Sequence, residues 1–319
     1  MAKRTVDVPA LVEAARDGSA RAVARLITLV ENADPALREV MASLAPHTGN
    51  AWIIGLTGSP GVGKSTTTNT LVAAFRERGK RVGVLAVDPS SPFSGGALLG
   101  DRIRLLDHAL DPQVYTRSMA SRGHLGGLSF ATPQALRVLD AAGCDVILLE
   151  TVGVGQSEVE IAALADTTVV LLAPGMGDGI QAAKAGILEI GDVFVVNKAD
   201  RDGANTTVRD LRGMISLGDR TEPNLWRPPV EKLIAERGEG RDEVIAALDK
   251  HHAWLVDHDE LRQRRTARAE GEISAIAVRS LRARMSDPRR DENLAVLAEK
   301  VVAGDLDPYA AADELVDAI

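Results

Sequence analysis

The chain has 319 residues, long enough for one large domain with appendages, and its 45% hydrophobic content excludes disorder as the main state. Acidic side chains outnumber basic ones by 45 to 37, and the resulting net charge of −8 argues against wrapping nucleic acid, which needs a net basic face. A single cysteine, Cys144, excludes an internal disulfide; Met1 to Ala10 holds no apolar run of leader length, and no run approaches the roughly 18 residues that span a bilayer, so a cytoplasmic protein with no nucleic-acid or membrane partner is expected.

Residues 1–48 read as an N-terminal helical extension. Pro9 suits a first helical turn, Asp17-Gly18-Ser19 breaks the pattern, Leu26, Ile27 and Val30 recur at helical spacing, and Asp34-Pro35 reads as an N-cap followed by a first helical residue. From Ala51 the texture changes to continuous apolar runs: Ala51 to Thr57, Arg81 to Asp88, Asp145 to Glu150, Thr167 to Ala173 and Asp192 to Asn197. Runs of this kind, separated by helical stretches, predict strands covered on both faces, hence an α/β core with a mostly parallel sheet between helices over 49–256. A helical arm follows over 257–319, with Asp287-Pro288 and Asp307-Pro308 as helix starts and Gly304 as a stop between them. The arginines of Glu260 to Arg268 read as a solvated helix face, with Glu260 and Arg264 forming a favourable i,i+4 pair.

Gly58-Ser59-Pro60-Gly61-Val62-Gly63-Lys64-Ser65 fits G-x-x-x-x-G-K-[ST], directly after an apolar run and directly before a helical stretch that opens with Thr66. Glycines at those places let backbone N–H groups turn inward around a β-phosphate, Lys64 reaches the β/γ oxygens, and the Ser65 hydroxyl is suited to Mg²⁺. The expectation is a P-loop NTPase fold with a nucleoside triphosphate site. Deviant loops of ATP-binding partitioning proteins carry a second lysine just after the first glycine; Ser59 stands there.

Mg²⁺ at such a site calls for carboxylates at neighbouring strand ends. Asp88 and Glu150 each end an apolar run, and Glu150-Thr151-Val152-Gly153 occupies the place of D-x-x-G, with Gly153 as the γ-phosphate glycine. Asp101, after the Gly95-Gly96 and Gly100 loop, is a further candidate for the metal shell. Asn197-Lys198-Ala199-Asp200 fits N-K-x-D: Asp200 can accept from guanine N1–H and the exocyclic amine, a donor pattern adenine lacks, while Asn197 braces the loop and the Lys198 stem lies on the base. Ile234-Ala235-Glu236 is the candidate for the element that usually reads Ser-Ala. Isoleucine there removes a bracing hydroxyl, so weakened nucleotide binding is expected.

With these elements assembled, the sequence resembles the G-protein chaperones of adenosylcobalamin-dependent methylmalonyl-CoA mutase, a family also once labelled as lysine/arginine/ornithine transport kinases. The resemblance extends through Val87 to Pro92, Gly100-Asp101-Arg102, Arg117 to Gly127, Glu150 to Glu158 and Pro174 to Asp178, with Gln181 and Lys184. It implies Mg²⁺ contacts from Ser65, Asp88, Asp101 and Glu150, and switch loops around Asp88 to Arg104, Glu150 to Glu158 and Asp178 to Lys184. It also implies a homodimer built on the C-terminal helices, and GTP hydrolysis that gates adenosylcobalamin delivery to the mutase and protects it. Lys64, Asp88, Glu150 and Lys184 are the expected catalytic set.

Val154 stands where many small GTPases carry a water-orienting glutamine, so slow basal hydrolysis is expected. His124 reads as a switch-loop residue. The rival readings are a nucleotide-dependent scaffold that binds but never hydrolyses, a kinase of a transport system, and a metallochaperone GTPase of the nickel-delivery kind. The last needs clustered Cys/His ligands, whereas Cys144 is solitary and His251, His252 and His258 read as surface residues of a helix.

Overall fold

The structure is a computed structural model that describes residues 6–88, 108, 110–120, 131–151, 157–175, 186, 188–217, 225–285 and 288–317, with backbone alone for 88, 151, 157–159, 282–285 and 288–292. Contacts divide the chain into two compact units, Met1–Arg264 and Arg265–Ile319. No helix among the described residues is long and apolar enough to cross a membrane.

The first unit is organised by a seven-stranded sheet of order β3-β2-β4-β1-β5-β6-β7. Its strands are β1 (Trp52–Thr57), β2 (Val82–Asp88), β3 (Val114–Ala120), β4 (Val146–Thr151), β5 (Thr167–Leu172), β6 (Val193–Asn197) and β7 (Val230–Leu233). Every pairing is parallel, with β1 at the centre beside β4 (Ile53 opposite Ile147) and β5 (Leu56 opposite Val169). The five continuous apolar runs form the five inner strands. Alternate side chains feed opposite layers. Ile53, Leu85, Ile147 and Leu149 join one cluster, while Ile54, Leu56, Val84 and Leu148 join the other.

The first cluster is covered by α5 (Thr132–Ala141), by α6 (Ser157–Leu164) and by the N-terminal helices α1 (Val8–Arg16), α2 (Ala20–Glu31) and α3 (Leu37–Leu44). Asp7 and Ser19 cap α1 and α2 by accepting from the N–H groups of Ala10 and Ala22. Asp34 accepts from the N–H of Ala36 inside a preceding turn, so α3 starts at Leu37 rather than at Pro35. The opposite cluster is covered by α4 (Lys64–Glu77) and α8 (Arg241–Asp257). Helix α7 (Ala204–Leu217) closes a smaller cluster around Phe194 and Val196.

At the N-terminal edge of the sheet a buried polar network stands under β5 and β6. The Trp52 indole N–H donates to Thr167 Oγ1 at 3.0 Å, and Thr167 Oγ1 lies 2.9 Å from His251 Nδ1. The other ring nitrogen, His251 Nε2, lies 3.3 Å from Asp192 Oδ1. Asp192 also receives both Nη groups of Arg264 at 2.9 Å. Trp226 donates to the Asp192 carbonyl and packs at a tilt against the rings of His251 and Trp254. His251 is therefore fully buried, not a surface residue, and Arg264 is tied to Asp192 rather than lying on a solvated face. Both follow from packing that sequence spacing does not encode.

The second unit consists of most of α9 (Glu260–Met285), together with α10 (Pro288–Ala303) and α11 (Pro308–Asp317). Pro288 and Pro308 open their helices, Asp307 accepts from the N–H groups of Tyr309 and Ala310, and Gly304 at φ +81° follows the end of α10. Ile273, Ile276, Leu281 and Leu294 are exposed on this unit.

Burial opposes ionisation of Asp192 and is the largest single influence on it, but His251 and Arg264 together outweigh that effect and hold its carboxyl below the ordinary value of 3.8. A depressed folded-state value contributes stability above the unfolded value and loses it as pH falls through the folded one. Asp192→Asn should therefore lower the unfolding free energy at neutral pH by roughly 3 kcal/mol, because Arg264 loses its counter-ion, and should flatten the acid limb of the stability curve. Urea unfolding of both proteins between pH 7 and pH 3 checks the two effects together.

Candidate nucleotide and metal site

All the strand ends that carry candidate residues lie on one edge of the parallel sheet, the carboxyl edge where such folds bind ligands. The central strand β1 runs directly into the phosphate loop. Gly58 (φ +142°), Gly61 (φ +81°) and Gly63 (φ +96°) take backbone conformations that L side chains rarely adopt. A Cβ on Gly58 would collide with the Leu171 carbonyl, and one on Gly63 with the Asn197 carboxamide. Within the loop, Pro60 and Gly61 are exposed, whereas Val62 is buried in the core and anchors the turn from below.

Gly63 also caps α4 without a side-chain oxygen, the condition in which a helix start accepts an external anion. Lys64 is buried, and its ammonium folds back on the loop, donating to the carbonyls of Gly58 at 2.7 Å and Ser59 at 3.2 Å. Phosphate oxygens would compete for it as charged acceptors. Thr66, on the first turn of α4, is half-buried, and its carbonyl lies 3.0 Å from Thr70 Oγ1.

Glu150, near the end of β4, reaches across to α4. One carboxylate oxygen accepts from Ser65 Oγ at 2.6 Å and the other from Thr68 Oγ1 at 2.8 Å. A hydroxyl and a carboxylate side by side form a hard-oxygen donor set, so the residues present fit a small divalent cation such as Mg²⁺. Asp88 ends β2, the strand beside β4, and only its backbone is described. Asp101, Gly153 and Lys184, together with most of the three expected switch loops, lie outside the described residues.

Asn197, at the end of β6, is buried and joins two loops. Its Nδ2 donates to the Val62 carbonyl at 2.8 Å and its Oδ1 accepts from the Ala235 N–H at 3.1 Å. Lys198, at φ +55°, donates to the Gly61 carbonyl at 2.6 Å. Asp200 is solvent-accessible, with Arg237 Nη2 3.9 Å away. Ile234 pairs with Glu239 in an isolated bridge, and Glu236 is exposed beside it. The hydroxyl that Ile234 cannot supply has a counterpart from elsewhere: Thr70 Oγ1 donates to the Ala235 carbonyl at 2.9 Å. Sequence reading missed Thr68 and Thr70. The signal was there in the threonine-rich start of α4, where residues 65 and 68 share a face.

The sequence matches the family described as methylmalonyl-CoA mutase-associated GTPase MeaB over residues 23–289. The chain belongs to this family. As a member it is a P-loop GTPase that uses a guanine nucleotide. A relative from Pyrococcus abyssi is 46% identical over 310 residues, covering 97% of this chain and 96% of its own length. GTPase ArgK of Escherichia coli is 36% identical over 255 residues, 78% of this chain and 77% of its own, and the mouse protein named methylmalonic aciduria type A homolog, mitochondrial, is 37% identical over 268 residues, 83% and 65% respectively. A crystal structure described as a LAO/AO transport system kinase covers 99% of both chains with a TM-score of 0.71 at 25% identity.

Replacing Asn197 by Ala strips the partners from the Val62 carbonyl and the Ala235 N–H at once. The expected cost is about 2 kcal/mol in unfolding free energy, accompanied by weaker GDP binding. Denaturant titration and fluorescent-GDP titration of Asn197→Ala measure the two losses.

Proposed function

We propose that this GTPase binds Mg²⁺ and GTP at the carboxyl edge of the sheet, and that its hydrolysis cycle gates adenosylcobalamin delivery to methylmalonyl-CoA mutase and protects that enzyme. The observation that carries the nucleotide part is Asn197, whose carboxamide couples the phosphate loop to the loop at Ala235 beside the guanine-reading motif. The mutase part is supported by the family's description and by the mouse relative's name.

In this reading the loop N–H groups from Gly58 to Thr66 cradle the β-phosphate, and Lys64 leaves the Gly58 and Ser59 carbonyls to neutralise charge on the transferring γ-phosphoryl oxygens. Ser65 and Glu150 would hold Mg²⁺ together with Asp88 and Asp101. When bound, the ion would supply charge neutralisation to the phosphate oxygens. Gly153 meets the γ-phosphate, a carboxylate such as Asp88 or a group brought in when the mutase rearranges a switch orients the attacking water in the absence of a glutamine at Val154, and Lys184 acts with Gln181 in a switch that responds to the mutase. Asp200 reads the guanine edge over a platform made by the Lys198 stem, and the loop from Ile234 to Glu236 closes on the guanine oxygen.

The division into an N-terminal extension over 1–48, a GTPase core over 49–256 and an arm over 257–319 belongs to the same proposal, with the arm forming a homodimer through apolar residues such as Ile273, Ile276 and Leu281, which are exposed in the monomer. The cytoplasm is the proposed site of action. A metallochaperone role is disfavoured by Cys144, which is buried, and whose thiol burial pushes up to about 12, so it does not offer a thiolate to a soft metal.

Phosphate release from GTP and from ATP, in Mg²⁺, with and without methylmalonyl-CoA mutase of the same organism, tests the proposal. Slow GTP-selective turnover that the mutase accelerates is the expected result; equal use of ATP, or indifference to the mutase, overturns it. Lys64→Ala should abolish turnover while the protein stays folded by circular dichroism. Asp200→Asn should exchange GTP for xanthosine triphosphate as the preferred substrate, because an amide can donate to the xanthine C2 carbonyl where a carboxylate only accepts.

A further inference from the structure

The acid that ends β4 is glutamate where D-x-x-G would supply aspartate, and its extra methylene has a structural consequence. The carboxylate spans from β4 to α4 and is held there by two hydroxyls from one helical face, Ser65 on Oε1 at 2.6 Å and Thr68 on Oε2 at 2.8 Å. Thr68 is fully buried and Glu150 nearly so, so water does not compete strongly for these bonds. A threonine inside a helix ordinarily gives its proton to the carbonyl four residues back, and the Lys64 carbonyl is in reach at 3.1 Å. The hydroxyl carries only one proton, however, and the shorter contact to a charged acceptor takes it.

We infer that Thr68 is a positioning residue for the divalent-cation site, fixing the Glu150 carboxylate so that its Oε1 stays beside Ser65. A glutamate side chain has one more rotatable bond than an aspartate, and without the second hydroxyl the carboxylate turns about its terminal bond and leaves the Ser65 side of the helix. Thr68 is fully buried and acts through Glu150. It compensates at the second carboxylate oxygen for the freedom that the longer acid introduces. Partners of this kind, one step removed from a metal, typically change its affinity by about 10–100-fold when lost.

The inference rests on the Mg²⁺–nucleotide reading above, and the test separates the two. Fluorescent-GDP affinity is measured without turnover, first in EDTA and then across a Mg²⁺ titration, for the wild type and for Thr68→Val, Thr68→Ala and Thr68→Ser. Thr68→Val should bind GDP in EDTA as the wild type does but need about tenfold more Mg²⁺ for half of the metal-dependent gain. Thr68→Ser, which keeps the hydroxyl, should restore the wild-type Mg²⁺ response. If Thr68→Val fails to bind GDP in EDTA, its helix has been disturbed, and the Mg²⁺ response of Thr68→Ala against that of Thr68→Ser decides instead. A wild-type affinity that ignores Mg²⁺ overturns the site reading and this inference with it. A wild-type response that the Val and Ala variants share, or an equal loss in Ala and Ser variants, overturns the inference alone.

Discussion

One buried carboxamide holds the nucleotide end of this protein in register. Asn197 stands at the tip of β6, two strands away from β1, and its two polar atoms reach in opposite directions, to the turn that follows β1 and to the segment that follows β7. A phosphate loop alone fixes only where a triphosphate sits. A base-reading motif alone fixes only which base is accepted. Hydrolysis of one particular nucleotide needs both at a set separation, and a buried side chain with no solvent to compete for it is a rigid way to set that separation. Gly63 belongs to the same constraint, since any Cβ there would enter the space the Asn197 carboxamide occupies.

Much of this was legible in the sequence because the inner strands of a parallel sheet are buried on both faces and read as unbroken apolar runs. The edge strands escaped that reading. In β3 the run is interrupted by Thr116 and Arg117, and the part-buried Arg117 pairs with Glu31 of α2. In β7 the four residues Val-Glu-Lys-Leu put their two apolar side chains on opposite faces, Val230 in the cluster around Phe194 and Leu233 in the cluster under α4 and α8, with two polar residues breaking the run between them. The phosphate loop and the base-reading motif were legible for a different reason: each must offer backbone and side-chain groups at fixed spacing along the chain. The hydroxyls of Thr68 and Thr70 were not, since their partners Glu150 and Ala235 lie 82 and 165 residues away.

The two edges of the sheet are built from different materials. The carboxyl edge is glycine, hydroxyl and backbone, arranged so that polar groups face a prospective ligand. The amino edge is aromatic and ionic, and its polar groups lie against one another: Trp52, Thr167, His251, Asp192 and Arg264 form a connected chain with Trp226 against it. Arg264 is the last residue of the first compact unit, so that network fastens the core at the point where α9 continues into the second unit. The conflict between that arginine and the solvated-face expectation is resolved by Asp192, whose buried carboxylate needs a cation more than the helix surface does.

The chain has three tryptophans, and the amino edge holds all of them: Trp52 at the start of β1, Trp226 on the Asp192 carbonyl, and Trp254 on α8 stacked against His251 and His258. Intrinsic fluorescence of this protein is thus a one-ended instrument. Its emission comes from the side of the sheet opposite the phosphate loop, with imidazole rings as the adjacent quenchers. Any change in that emission when a nucleotide arrives has travelled the length of the strands, which makes the unlabelled protein its own reporter of communication between the two edges.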